Sequence, residues 1–409
     1  MYNSLTGALA KLDDDEERML QQNGEAEKFP IGEKFLAELR FGGFLIDADF
    51  EELDLIRYQM QSARFDRKQL CLTIAPTMDC NFRCEYCYEK ENRKSGLMNE
   101  SVISDLIHFI DERLDDCTGL NITWYGGEPL LAADTIHKIS MQLINRCNDK
   151  DINYSASMIS NGYLLNRKNI EIINECQIKF IQITLDGDEE SHDKRRYLAN
   201  GNGTFGIILQ NLKDNKDIIP PISLRVNIDK SNPKALYEVQ NIIDSAELSD
   251  KVKIYPGRIT SINGCCSSAN CMTDEEFSAL ETEYYLETKD GIHYLFPRRI
   301  ISNCCADHFQ NCVIDNNGII YKCWDDIGYA DKSVGSLKDG IFPNRTYLEY
   351  ILTDPTMDPE CKNCSVLPIC LGGCPHEFQT NRKCSKYKFS IAKILTNFVN
   401  KIEAVRREE

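Results

Sequence analysis

A chain of 409 residues with 42% apolar and 27% charged side chains is long enough, and apolar enough, to fold around more than one core, so disorder is not the starting expectation. Its 47 basic and 64 acidic residues leave a net charge of −17, which repels phosphate backbones and anionic lipid surfaces and sets nucleic acid and membrane aside as expected partners. Met1 to Asp13 lacks a basic stretch followed by an apolar one, and no run reaches the roughly 18 apolar residues of a membrane helix, so a soluble, cytoplasmic protein is expected.

Residues 1–68 read as a small separate domain. Tyr2 to Leu12 suits a short hairpin, and Asp13 to Gln22 begins with the acidic residues that favour a helix start. A second helix starts near Pro30, with Phe35, Leu36 and Leu39 on one face, and gives way at Gly42-Gly43 to an apolar strand, Phe44 to Ile46. Asp49 to Arg64 then spaces Phe50, Leu53, Ile56 and Met60 helically. This order predicts a winged-helix-like module.

From 69 to 256 six short apolar runs alternate with helical patterns: Leu70–Ala75, Ile122–Tyr125, Ser155–Ser160, Phe180–Leu185, Ser223–Ile228 and Val252–Tyr255. Such alternation marks βαβ units and predicts an α/β fold, a partial (β/α)6 TIM-like barrel whose functional loops follow the C-terminal ends of its strands. Residues 257–298 read as a bridging region, with Cys265, Cys266 and Cys271 in a loop before a helix that starts at Thr273. Residues 299–390 are loop-rich and take their order from bound metal, and 391–409 form a C-terminal helix.

Nineteen cysteines without a secretion signal argue for free thiols and metal ligation, not for disulfides. Nine of them fall between Cys304 and Cys384, so they mark sites. Cys71, Cys117, Cys147 and Cys176 lie on predicted strands or helices and read as small core residues. His308 and His376, near cysteines of the C-terminal field, read first as exposed polar residues.

Cys80, Cys84 and Cys87 present three thiols in one loop after the first strand. They suit three irons of a [4Fe–4S] cube with the fourth iron open; a three-thiol zinc site is the alternative. The run Cys80-Asn81-Phe82-Arg83-Cys84-Glu85-Tyr86-Cys87 resembles the signature of the radical S-adenosylmethionine (SAM) superfamily. The resemblance implies that S-adenosyl-L-methionine binds the open iron and is split to a 5′-deoxyadenosyl radical, with Tyr86 beside it. Gly126-Gly127-Glu128-Pro129 resembles the family motif for the methionyl ammonium, where glycines admit backbone carbonyls and the carboxylate accepts a charge-assisted bond. Ser160 and Asn161 would contact the ribose or methionine end, and Arg225 the methionine carboxylate. Leu185-Asp186-Gly187 resembles the end of the family's fourth strand, with no role assigned.

Cys361, Cys364, Cys370 and Cys374, followed by Pro375, form a second pattern. Paired thiols suit zinc, but the ending resembles ferredoxin runs whose last cysteine serves another cluster. With Cys304, Gly318 and Cys323 upstream, the spacing resembles the SPASM extension of radical SAM enzymes. That resemblance implies two auxiliary [4Fe–4S] clusters, three in all: one on Cys361, Cys364, Cys370 and Cys384, the other on Cys304, Cys323 and Cys374. Its fourth ligand stays open between Cys305, Cys312 and a substrate thiol.

A radical SAM barrel with two auxiliary clusters resembles the peptide maturases, and the N-terminal domain resembles their recognition element, to which a leader peptide adds as a strand. The leading expectation is a radical SAM oxidoreductase of the sactipeptide and ranthipeptide kind, forming thioether crosslinks in a leader-containing precursor peptide, with a flavodoxin or ferredoxin as electron donor. Carbon–carbon crosslinking and formylglycine formation in a sulfatase are the enzymatic alternatives. An iron–sulfur electron-transfer protein is the alternative of another class.

Overall fold

The computed structural model describes residues 1–21, 33–90, 95–260, 270–288, 291–302, 304–380 and 382–408. In chain order the elements are α1 (Asp14–Gln21), α2 (Glu33–Phe41), α3 (Glu52–Arg64), β1 (Gln69–Ile74), α4 (Glu100–Leu114), β2 (Gly119–Trp124), α5 (Ala133–Asp149), β3 (Asn153–Ile159), α6 (Arg167–Glu175), β4 (Ile178–Thr184), α7 (Glu189–Arg195) and α8 (Phe205–Asp214). There follow β5 (Ile222–Ile228), α9 (Ala235–Ser245), β6 (Val252–Arg258), α10 (Asp274–Glu287), α11 (Ile292–Leu295), β7 (Cys312–Ile314), β8 (Ile319–Tyr321), β9 (Gly335–Ser336) and β10 (Gly340–Ile341). The last helices are α12 (Arg345–Ile351), α13 (Leu367–Cys370), α14 (Pro375–Thr380) and α15 (Tyr387–Glu408). They fall into two compact units, Met1–Arg64 with Tyr285–Cys304 and Thr353–Glu409, and Phe65–Tyr284 with Cys305–Leu352. No helix of the described residues is long and apolar enough to cross a membrane.

The larger unit is built on a ten-stranded sheet of order β10-β9-β8-β7-β1-β2-β3-β4-β5-β6, in which β1 to β6 are all parallel. Strands covered on both faces need near-continuous apolar runs, and Leu70, Leu72 and Ile74 of β1 are accordingly buried. The covering helices are set by caps and stripes. Asn99 accepts from the N–H of Val102 to start α4, which buries Ile103, Leu106, Ile107, Phe109, Ile110 and Leu114; each such burial stabilises by about 1.5–3 kcal/mol. The six expected strands are therefore present, in an α/β arrangement of the partial-barrel kind.

Four strands were not expected. β7 lies parallel on β1, pairing Cys312 with Leu72 and Ile314 with Ile74, and β8, β9 and β10 continue antiparallel from it. Residues 305–352 thus belong with the barrel sheet and not with a separate segment 299–390, because the edge of β1 takes up the backbone groups of β7.

In the smaller unit Tyr2 and Leu9 form an antiparallel bridge, as the expected hairpin requires. Phe44–Ile46 is not a strand. The N–H groups of Phe44 and Leu45 both donate to the Leu39 carbonyl, at 2.8 and 3.2 Å, with Gly43 at φ +71°; the donors a strand would use close off α2 instead. Nor do residues 1–64 stand alone, since Leu5 and Ile56 share one core with Leu367 and Leu371. Leu53 and Leu55 pack on the same cluster, so part of the segment's core is shared with the cysteine-bearing region. The helix start near Pro30, with Gln22, lies outside the described residues, as do Cys265 and Cys266.

Candidate functional site

The loop that follows β1 is fastened on two sides. Gly127 N and Glu128 N donate to the carbonyls of Thr77 and Asp79, at 3.3 and 2.8 Å, and Arg83 N and Glu85 N donate to those of Tyr197 and Arg195, at 2.7 and 3.1 Å. A Cβ on Gly126, at φ +116°, would stand 2.2 Å from the Thr77 carbonyl oxygen, and one on Gly127 would stand 2.3 Å from that of Asp79. Only glycine admits so close an approach. Cys80, Cys84 and Cys87 are held in this loop, partly exposed and outside any disulfide. Phe82 N and Asn161 Nδ2 approach Cys80 Sγ at 3.4 and 4.0 Å.

Glu128 lies at the start of the turn that follows β2. Its carboxylate is fully buried and accepts from Leu130 N at 3.1 Å, Ser160 Oγ at 2.9 Å and Asn161 N at 2.7 Å. Burial raises its pKa against these hydrogen bonds, which lower it. Glu128 therefore joins β2 to β3, and Asn161 carries the link onward, donating from Nδ2 to Asn81 Oδ1 at 2.8 Å. Pro129 starts the turn behind it and is buried.

A buried polar cluster lies beneath the last cysteine. The Tyr86 hydroxyl donates to Asp186 Oδ2 and accepts from Arg196 Nη1 at 2.8 Å and Asn227 Nδ2 at 3.1 Å. The enclosed phenol is raised well above its ordinary pKa, chiefly by burial. Asp186 Oδ1 accepts from Asn227 N at 3.0 Å, and Arg195 Nη2 pairs with Asp229 Oδ2 at 3.1 Å. Two guanidinium nitrogens, Arg195 Nη1 and Arg196 Nε, are buried with no hydrogen-bond partner. His192 is fully buried, and burial, then Arg196 and Arg195, hold its pKa well below the usual value. The sequence had assigned no role to Arg195, Arg196 or His192; the signal available was their place after the fourth strand.

Tyr125 is buried at the end of β2. Burial raises its pKa most, Asp325, Cys87 and Cys323 add to the rise, and Arg225 opposes it. Trp324 stacks on the Tyr125 ring with centroids 5.2 Å apart and 25° between planes, and its Nε1 donates to Thr73 Oγ1 at 3.0 Å. Arg225 lies across Gly257 of β6, where a Cβ would stand 2.3 Å from Arg225 Nε, and donates to Asn227 Oδ1 at 2.7 Å. Cys87, Cys323 and Arg225 thus each lie near enough to Tyr125 to act on its phenol. Cys312 is not among them. Cys312 is fully buried in β7, its thiol pushed up to about 11 by burial, with Lys322 and Arg113 as the opposing charges. Strand alternation turns its side chain from the face of Val313 and Tyr321.

In the smaller unit Cys361, Cys364, Cys370 and Cys384 line one small pocket of about 30 Å³, with Arg382 and Lys388 in its wall. Cys374 is exposed, and Cys304 is near enough to act on it electrostatically. None of the described cysteines forms a disulfide. Among the described residues no three His, Cys, Asp or Glu side chains converge on a single-ion site. Cys117, Cys147 and Cys176 are buried, as expected of core residues; Cys71 on β1 is partly exposed. His308 is buried and not exposed as expected, because Phe309 packs on its ring at 5.4 Å within the segment 305–352.

Residues 74–238 match the sequence profile of the radical SAM superfamily. The chain is 23% identical over 352 residues to the cysteine-type anaerobic sulfatase-maturating enzyme of Clostridium novyi (strain NT), covering 77% of this chain and 90% of that one. Native anSMEcpe with bound AdoMet superposes with a TM-score of 0.62 at 17% identity, covering 83% of this chain and 100% of that one. Streptococcus suis SuiB bound to precursor peptide SuiA superposes with a TM-score of 0.55 at 16% identity, covering 94% of each. These likenesses show the fold.

Proposed function

From a chain that carries a radical SAM domain at residues 74–238, we propose a radical SAM maturase that acts in the cytoplasm on a leader-containing, ribosomally made precursor peptide and installs thioether crosslinks, cysteine sulfur to carbon. The observation that carries the reading is the fastening of the three-cysteine loop against β2, where a Cβ on Gly126 or Gly127 would stand 2.2 or 2.3 Å from the Thr77 or Asp79 carbonyl oxygen. A loop of three thiols is held in place there, and Arg225 is braced by Asn227.

The donor sets fit the groups the reading requires. Cys80, Cys84 and Cys87 would hold the SAM-binding [4Fe–4S] cluster, and the partnerless Arg195 Nη1 and Arg196 Nε are donors in reserve beside it. Cys361, Cys364, Cys370 and Cys384 would hold one auxiliary cluster from the walls of their pocket. Cys304, Cys323 and Cys374 are assigned to the other by spacing alone. When bound, the clusters and S-adenosylmethionine supply a 5′-deoxyadenosyl radical that takes a hydrogen atom from the peptide and an acceptor for the electron released as the thiol proton leaves.

The chain's own residues do the positioning. Gly126 and Gly127 keep the cysteine loop against β2, Glu128 fixes Ser160 and Asn161, and Tyr86 ties the loop to Asp186 and Arg196. Arg225, braced by Asn227, presents a guanidinium suited to the carboxylate of S-adenosylmethionine. Trp324 covers one face of Tyr125 and keeps water from it.

Support for a peptide substrate comes from SuiB, described with its precursor peptide, whose likeness spans 94% of this chain where that of anSMEcpe spans 83%. A flavodoxin or ferredoxin would supply the electrons. The test is mass spectrometry of precursor peptides after reaction with the reconstituted, reduced protein. Loss of two hydrogens per crosslink, with the cysteine no longer alkylated, supports the reading; unchanged peptide mass in a reaction that still releases 5′-deoxyadenosine overturns it. The 23% identity to a sulfatase-maturating enzyme over 77% of the chain favours formylglycine formation as a second reading. An aldehyde appearing on a sulfatase-derived cysteine peptide, trapped with a hydrazide, would decide for it.

A further inference from the structure

The four thiols that line the pocket of the smaller unit do not lie in neutral surroundings. Arg382 Nη1 donates to Cys361 Sγ at 3.6 Å, and Lys388 Nζ donates to Cys384 Sγ at 3.4 Å. Arg382 is itself fixed. Its Nη1 is 2.6 Å from Asp358 Oδ1, its Nη2 meets Glu360 Oε2, and its Cζ lies 5.8 Å from the Phe378 ring centre. Asp358 Oδ1 also accepts from the N–H groups of Glu360 and Cys361, at 3.0 and 2.9 Å. One carboxylate therefore aims the guanidinium and shapes the loop that presents Cys361. Lys388 differs in kind: it is exposed, on the first turn of α15, four residues beyond the cysteine it meets.

Cations aimed at sulfur gain little from neutral thiols and much from thiolates, which accept charge-assisted hydrogen bonds. We propose that Arg382 and Lys388 are positioning residues for an auxiliary [4Fe–4S] cluster on Cys361, Cys364, Cys370 and Cys384, and that together they raise its reduction potential. The inference rests on the cluster assignment made above. A cubane held by four thiolates becomes more negative by one charge when it takes an electron from a flavodoxin- or ferredoxin-class donor. Donors on the ligand sulfurs stabilise the reduced state more than the oxidised one, and hydrogen bonds to sulfur are among the recognised determinants of such potentials. The two cations reach different sulfurs, so their effects add. This pocket is thereby built as an electron acceptor as well as a structural anchor.

The test is a potentiometric titration followed by electron paramagnetic resonance, on the anaerobically reconstituted full chain with Cys80, Cys84 and Cys87 replaced by Ala to remove the loop cluster's signal. The component lost on Cys364→Ala identifies the cluster in question. Its midpoint is expected to move to more negative potential in Arg382→Gln and in Lys388→Gln, further in the double variant, and to return towards the parent value in Arg382→Lys. Unchanged midpoints at unchanged iron content overturn the inference and leave the cluster assignment standing. Iron content unaffected by Cys364→Ala overturns the assignment and the inference with it. Should Arg382→Gln load no iron, Lys388→Gln, altered at an exposed side chain, decides alone.

Discussion

Arg196 donates a 2.8 Å hydrogen bond to the Tyr86 hydroxyl, whose own proton is directed at Asp186. A residue of the cysteine loop is thereby held by the turn that follows β4 and by the segment after α7. In Tyr86→Phe, Arg196 and Asp186 each lose a partner and Asn227 loses a third, all within a buried cluster. The expected cost is about 2–3 kcal/mol, read as a lower urea midpoint at unchanged slope.

His192 predicts a pH dependence of stability. Asp186 N donates to Nδ1 at 3.2 Å, so Nε2 carries the proton and donates to Thr204 Oγ1 at 3.0 Å, and the Thr204 hydroxyl donates to the Arg196 carbonyl at 2.7 Å. The folded imidazole is neutral, with its pKa well below the usual value. The unfolded chain takes up a proton here near pH 6.5 and the folded chain does not, so stability rises with pH through this range and is lost as pH falls below about 6.5. Between pH 7.5 and 5.5 the parent should lose about 1.4 kcal/mol more than His192→Gln. Equal losses would contradict the neutral, buried assignment.

Gly127→Ala tests the join between β2 and the cysteine loop. The added Cβ meets the backbone carbonyls of Asp79 and Met78, at 2.3 and 2.5 Å, and neither can swing away as a side chain could. The loop must shift. Under the three-cluster reading, iron content after reconstitution should fall from about twelve to about eight atoms per chain, the same loss as in Cys84→Ala. Full loading of Gly127→Ala would show that the loop tolerates displacement.

Cys312 and Cys323 are separated by the same experiment. Cys312→Ala removes a sulfur from the interior of β7 and should cost on the order of 1 kcal/mol with iron content unchanged. Cys323→Ala should lower iron content. Iron lost on Cys312→Ala without a drop in stability would restore Cys312 to the ligand set.

Most of the sheet was legible because β1 to β6 are long enough for a buried run to stand out; Leu70–Ala75 and the observed Gln69–Ile74 differ by a residue at each end. Cys312–Ile314 was not, since three apolar residues in a cysteine-dense stretch carry no period. Phe44–Ile46 misled because apolar content says nothing about where backbone donors go, and here they close a helix. The site divides along the same line. Cys80 to Cys87 and Gly126 to Pro129 announce themselves as local motifs, with spacing fixed by one loop. Arg195 and Arg196 end a stretch, Glu189 to Arg196, whose charges read as an ordinary solvated helix. Only the pairing of strands carries them under Tyr86.

Among the described residues the sheet stops at its far end at β6, which pairs there with β5 alone. An open edge on a seven-residue strand is an invitation to a second copy of the chain, and this one is poorly suited to accept it. Lys253 points outward, and Pro256, without an N–H, breaks the ladder that an added strand would need. The strand that carries Gly257 under Arg225 is thus also a poor template for a strand of another chain.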